Sequence, residues 1–131
     1  MILLDTHVLA WLVTDDNRLS RSARSAIRRA RASDGVAIAD VTIWELAFLL
    51  SRGVLRAHNT VENTLHNFVT RSGVSVKPIT AEIAALATQF PEDYPRDPID
   101  RLIGATARAE GIALVTRDEK IRSSPLLRTI W

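Results

Sequence analysis

Cysteine is absent from the 131-residue chain. That removes disulfides, thiolate zinc sites, iron–sulfur clusters and cysteine nucleophiles from consideration. Glycine is scarce: the five present are scattered, and neither Gly-x-x-x-x-Gly-Lys nor Gly-x-Gly-x-x-Gly occurs. A P-loop NTPase is therefore excluded, and a dinucleotide site has no support. Proline is equally sparse, and no Pro/Gly/Ser tract is long enough to divide domains. Long apolar runs are missing too. Neither Val8 to Val13 nor Leu46 to Leu50 approaches the roughly 20 residues of a membrane span. The start, Met1-Ile2-Leu3-Leu4-Asp5, lacks the basic region of a signal peptide, so a cytoplasmic, membrane-free protein is expected.

What is present suits a globular protein. Hydrophobic residues make up 47% and charged residues 24%, which excludes disorder. The length fits a single domain, residues 1–131. Apolar strand-like runs at Ile2–Leu4, Val36–Ala39, Val74–Val76, Ile112–Val115 and Arg128–Trp131 alternate with helical patterns. Start signals mark the helices: Ser20 and Asp40 as caps, Thr60 and Thr80 as the openings of two more, and Asp97-Pro98 as a cap followed by proline at the first helical position. Gly53, Gly73 and Gly111 mark stops, and the Pro91–Pro98 segment, with three prolines, reads as a loop. The alternation predicts an α/β domain with a mostly parallel sheet of four to five short strands flanked by helices.

The net charge is only +2, but its distribution is uneven. Arg accounts for 15 of the 17 basic residues, and six lie between Arg18 and Arg31 with no acid among them. At helical spacing, Leu19, Ala23, Ala26, Ile27 and Ala30 share one face, and Arg21, Arg24, Arg28 and Arg31 form a stripe beside it. Such a stripe suits a nucleic-acid backbone, because the guanidinium fork matches phosphate. A solvated helix face explains it equally well.

In open parallel sheets, function gathers at the carboxyl ends of strands. Asp5 follows the first strand, Glu45 lies in the helix after the second, Asp97 and Asp100 open a later helix, and Asp118 follows the Ile112–Val115 strand. Glu45 is a lone charge among Ile43, Trp44, Leu46, Ala47, Phe48, Leu49 and Leu50. Burying an unpaired carboxylate is costly, so such a residue is usually paired or binds a metal. Each acid also has a purely structural reading. Asp5, Asp97 and Asp118 can cap helices, Asp100 can complement a helix dipole, and Glu45 can pair with an Arg or face water. Taken together, acids converging on one rim would repel each other, and a divalent cation is the natural compensation. Oxygen-only ligands point to Mg²⁺ or Mn²⁺, one or two ions. His7, His58 and His66 show no metal-ligand spacing, although His7, close to Asp5, is placed to touch a substrate. Trp11, Trp44 and Trp131 read as core or interface residues, which leaves Tyr94 as the better base-stacking candidate.

The ordered set of segments resembles the PIN-domain nucleases, and within them the VapC-type toxins of bacterial toxin–antitoxin pairs. It runs from Met1-Ile2-Leu3-Leu4-Asp5-Thr6 through Trp44-Glu45-Leu46 and Arg96-Asp97-Pro98-Ile99-Asp100-Arg101-Leu102-Ile103-Gly104-Ala105-Thr106-Ala107 to Ala113-Leu114-Val115-Thr116-Arg117-Asp118. The likeness extends to the closing Arg128-Thr129-Ile130-Trp131 and implies a three-layer PIN-like fold. It puts Asp5, Glu45, Asp100 and Asp118 on the family's acidic quartet, Asp97 on a secondary acid, and Thr6 and Thr116 on its hydroxyl positions. Gly104 stands where many relatives carry Ala.

The activity this implies is metal-dependent endoribonuclease cleavage of transfer, ribosomal or messenger RNA, inhibiting translation. Asp5 and Asp118 would act as direct ligands, with Glu45 and Asp100 completing the shell or orienting the attacking water. Arg96, Arg101 and Arg117, beside the acids, would join Arg21, Arg24 and Arg28 in holding RNA. The implied partners are a VapB-like antitoxin and a second copy of the chain. Leu9, Leu12, Phe48, Leu49, Leu50, Val54 and Leu55 are candidates for a partner groove, or simply for packing between helices. The alternatives are a non-catalytic PIN-like module that grips RNA or a partner, and an aspartate-nucleophile phosphotransferase. Asp5-Thr6-His7 lacks the second acid usual for the latter.

Overall fold

The computed structural model describes residues 1–131. Five short strands form one sheet: β1 (Ile2–Leu4), β2 (Val36–Ala39), β3 (Ser75–Lys77), β4 (Ala113–Val115) and β5 (Thr129–Ile130). Their order is β3-β2-β1-β4-β5, and every pairing is parallel. Seven helices connect them: α1 (Thr6–Thr14), α2 (Arg21–Arg31), α3 (Asp40–Ser51), α4 (Val61–Ser72), α5 (Ala81–Thr88), α6 (Pro98–Glu110) and α7 (Glu119–Arg122). A short 3₁₀ turn at Asp16–Arg18, which the sequence pattern does not signal, links α1 to α2.

The sheet divides the core in two because successive strand side chains point to opposite faces. Leu4, Val36, Ile38 and Val115 face one way, against Val8 and Leu9 of α1, Ala23 and Ile27 of α2, Leu46 of α3 and Phe68 of α4. Leu3, Ala37, Ala39 and Leu114 face the other way, against Ile83 of α5, Ile103 and Ala107 of α6, and Ile121 of α7. The result is the three-layer α/β architecture. It also explains why the central strands read as continuous apolar runs: both faces are covered.

Local chemistry sets the helix starts. Ser20, Thr60 and Thr80 each accept a backbone N–H three residues on, at 3.0, 3.1 and 3.2 Å. Asp97 accepts from the Ile99 N–H at 2.8 Å, with Pro98 behind it. Asp40 departs from expectation. Ala39 occupies the cap position and Asp40 is already helical. Its Oδ2 instead accepts the Ile79 N–H at 3.0 Å, tying the chain that leaves β3 to the start of α3. The third strand is shifted one residue from the Val74–Val76 run, to Ser75–Lys77. It is an edge strand with Ser75 and Val76 exposed, so burial leaves little pattern to read.

Candidate metal-binding acidic cleft

The order β3-β2-β1-β4-β5 reverses direction at β1 and β4. The chain winds outward on one side through β2 and β3, and on the other through β5. Beyond the carboxyl ends of two such strands lies the usual crevice for ligands. Here the strands end in register at Leu4 and Val115, and the Asp5 N–H donates to the Val115 carbonyl at 3.0 Å. The crevice is a cleft of about 480 Å³ lined by Asp5, His7, Val8, Trp11, Glu45, Asp97, Asp100, Arg117, Asp118 and Glu119. All five acids singled out in the sequence therefore meet at one place.

Asp5 is held at both oxygens. Oδ1 accepts the Thr6 N–H at 2.8 Å, capping α1, and Oδ2 accepts the Thr116 hydroxyl at 2.7 Å. The capping role and the cleft role thus belong to the same carboxylate. Thr116 also accepts the Asp118 N–H at 3.1 Å, and Asp118 Oδ1 caps α7 through the Ile121 N–H at 3.0 Å. One buried hydroxyl therefore links two acids 113 positions apart. Thr6 is fully buried, with its hydroxyl 3.2 Å from that of Thr42.

The acids strain against one another. Burial pushes the Asp5 carboxyl above its ordinary value, and Asp118 adds to the rise. Hydrogen bonds from Thr116 and Thr6 and the nearby His7 oppose it. Burial likewise raises Glu45, aided by Asp5 and Asp97 and countered by a Thr6 hydrogen bond and by His7. Asp100 is raised to about 7, first by burial and then by Asp5, Asp97, Glu45 and Asp118. Neither ion pair in the protein involves these groups: the Met1 amino group meets Asp34, and Lys77 meets Glu110.

A ring of carboxylates without a lysine or arginine partner fits a cation supplied from outside. The all-oxygen donor set fits a hard divalent ion. No three His, Asp or Glu side chains are closed around a single point, so water would complete the coordination, as Mg²⁺ commonly requires.

The basic residues sort differently. Arg117 lines the cleft, and its guanidinium lies 5.8 Å from the centre of the Trp11 ring. Trp11 also carries Arg18 at 4.7 Å and packs near His7 and Trp131. Arg21 and Arg96 are exposed and do not line the cleft. Arg24 and Arg28 line a separate groove with Leu12, Leu19 and Ile27, so the stripe does not join the acids. Arg101 is turned away from any substrate, because its guanidinium is engaged by four backbone carbonyls of the α5–α6 loop. Tyr94 is also corrected: it is only 1% exposed and packs edge-on against Phe90, so it offers no stacking face. Trp44, by contrast, is 61% exposed and lies parallel to Phe48. The sequence read Trp44 as a core or interface residue and Phe48 as a partner-groove candidate, and the structure exposes both on a largely apolar helix whose pattern does not tell its faces apart.

A PIN-domain sequence profile matches residues 2–125. The chain belongs to the PIN-domain family. Ribonuclease VapC22 of Mycobacterium tuberculosis is 37% identical to this PIN domain over 132 residues, covering 99% of this chain and 98% of that protein. Two solved structures share the fold. VapBC2 from Rickettsia felis, bound to a DNA fragment from its promoter, superposes with a TM-score of 0.75 at 18% identity, covering 98% of this chain and 97% of that one. FitAcB from Neisseria gonorrhoeae gives 0.69 at 20% identity, covering 98% and 96%. The five-stranded parallel sheet between two helical layers is the PIN-like fold that the sequence predicted.

Proposed function

We propose that this PIN domain is a divalent-metal-dependent endoribonuclease and the toxin of a toxin–antitoxin pair. The observation that carries the reading is the meeting of Asp5, Glu45, Asp97, Asp100 and Asp118 in one cleft, with the carboxyls of Asp5, Glu45 and Asp100 raised above their ordinary values and none of the five in an ion pair. The ribonuclease relative supports RNA as the substrate.

Asp5, Asp100, Asp118 and Glu45 would hold one or two Mg²⁺ or Mn²⁺ ions. Such an ion lowers the pKa of water and offsets charge on the scissile phosphate. Thr116 fixes Asp5 and the Asp118 backbone, and Thr6 steadies Glu45, so that the carboxylates are set before substrate arrives. Glu45 or Asp100 orients the attacking water. Arg117 is the guanidinium placed to meet the RNA backbone.

A VapB-like antitoxin would cover a second region. Val13, Val54, Leu55 and Phe68 floor a groove of about 560 Å³ edged by Arg56, His58 and Arg71. Smaller hollows with Leu12, Arg31 and Arg71 continue it to Arg24 and Arg28. An apolar floor with a basic rim suits an amphipathic acidic segment. Of the other residues considered for that groove, Leu9 and Leu50 are buried in the protein itself. The cytoplasm is the compartment this activity requires, and no helix is long and apolar enough to cross a membrane.

The test is the chemistry of the cut ends. Structured RNA cleaved by the purified chain should carry 5′-phosphate and 3′-hydroxyl termini. A 2′,3′-cyclic phosphate would mean that the RNA's own 2′-hydroxyl attacks, and would overturn the mechanism.

A further inference from the structure

Arg101 directly follows Asp100 in the first turn of α6, yet it pairs with no acid. Its Nε donates to the Pro95 carbonyl at 3.0 Å and its Nη1 to Phe90 at 2.8 Å. Its Nη2 reaches Pro91 at 3.0 Å and Tyr94 at 3.3 Å. A planar guanidinium can satisfy several carbonyls at once, and a lysine ammonium cannot reproduce that fork. All four carbonyls belong to the loop that delivers Asp97 to the cap of α6.

A second anchor holds the same loop from inside. The Tyr94 ring meets Phe90 at 4.6 Å and 87°, and its hydroxyl donates to the Asp100 carbonyl at 3.3 Å. Both rings lie against Gly104, one turn along α6. A Cβ there would collide with Tyr94 Oη and stand 2.8 Å from Phe90 Cε2. Helix interiors disfavour glycine, so this one is explained by the close approach of the rings.

The loop therefore enters a ring of mutually repelling carboxylates while fixed at both ends of its turn. We propose that Arg101 is a positioning residue, with Tyr94 seated on Gly104 as its counterpart. Together they hold Asp97 and Asp100 in place opposite Asp5 and Asp118, and so set the cleft's affinity for a divalent cation. Arg101 itself touches no RNA. The inference rests on the cation-binding reading above.

Mn²⁺ alone is the probe, with free ion measured by electron paramagnetic resonance. The samples are the wild type, Arg101→Lys, Gly104→Ala and Ile27→Val. The last truncates the core beneath α2, on the opposite face of the sheet from the loop. Arg101→Lys and Gly104→Ala should each weaken Mn²⁺ binding about tenfold, as loss of supporting contacts around metal ligands does. Ile27→Val should lower Tm and leave Mn²⁺ binding unchanged. RNA binding in EDTA by a further variant, Arg101→Gln, which removes the charge, should show the same salt slope as the wild type. Gly104→Ala alters no charge, so it decides the matter even if Arg101→Lys fails to fold. Wild-type Mn²⁺ affinity in Gly104→Ala, or a reduced salt slope in Arg101→Gln, would overturn the inference. A wild type that binds no Mn²⁺ would instead bring down the cation-binding reading itself, and this inference with it.

Discussion

Replacing Asp100 with Asn should stabilise the metal-free protein at alkaline pH and do little in acid. Asp100 has its pKa raised from 3.8 to about 7. A rise of that size corresponds to about 4 kcal/mol at full value. The group is only half-buried, and solvent screening reduces the effect to about 1–2 kcal/mol. The sign follows from linkage. The folded state binds the proton more tightly than the unfolded state, so stability is fully present below the unfolded pKa. It is lost as pH rises through about 7. Against this, a charged Asp100 in the first turn of α6 gains about 0.3–1 kcal/mol from the helix dipole, which Asn forfeits. The cost of the buried, crowded charge outweighs that gain. Urea unfolding in EDTA should find Asp100→Asn more stable than wild type by about 1 kcal/mol near pH 8, and equal or slightly less stable near pH 5. A variant that is destabilised near pH 8, or a difference that does not change with pH, would refute the electrostatic account of the cleft.

Thr116→Val keeps the shape but deletes the donor to Asp5 and the acceptor for the Asp118 N–H. It should cost about 1.5–3 kcal/mol by urea unfolding and depress RNA cleavage, with Thr116→Ser restoring both. Gly104→Ala drives a methyl group into Tyr94 and Phe90. The expected loss of about 1–3 kcal/mol should exceed the roughly 1 kcal/mol of helix propensity gained, and Tm should fall. Arg117→Ala should reduce the salt slope of RNA binding by about one. The double variant Arg24→Ala, Arg28→Ala should leave it unchanged, because only Arg117 lines the cleft.

The fold was legible where local chemistry and burial agree. Ile2–Leu4 and Val36–Ala39 are bounded by an acid or a glycine, and Ser20, Thr60, Thr80 and Asp97 cap the helices they precede. Asp40 misleads because its carboxylate is taken by Ile79, 39 positions away. In the site, the acids were visible as types and positions, since strand ends project to a shared rim. What holds them was not. The Thr116–Asp5 bond spans 111 positions, and no local pattern announces it. Arg101 sits in a run that looks like a phosphate contact, and only the path of the α5–α6 loop reveals that its guanidinium is occupied. Tyr94 misled in the same way: a lone tyrosine in a proline-rich loop looks exposed until Gly104 opens a seat for it.

Whether the acidic cleft is a metal-dependent ribonuclease site is tested most directly by incubating structured RNA with the purified chain, freed of any partner. Mg²⁺, Mn²⁺ and EDTA would be run in parallel, with Asp5→Asn beside the wild type. The account predicts discrete fragments that require both the metal and Asp5, with Asp5→Asn folded but inactive. Cleavage that persists in EDTA or in Asp5→Asn, or RNA that is bound but never cut under either metal, would contradict it.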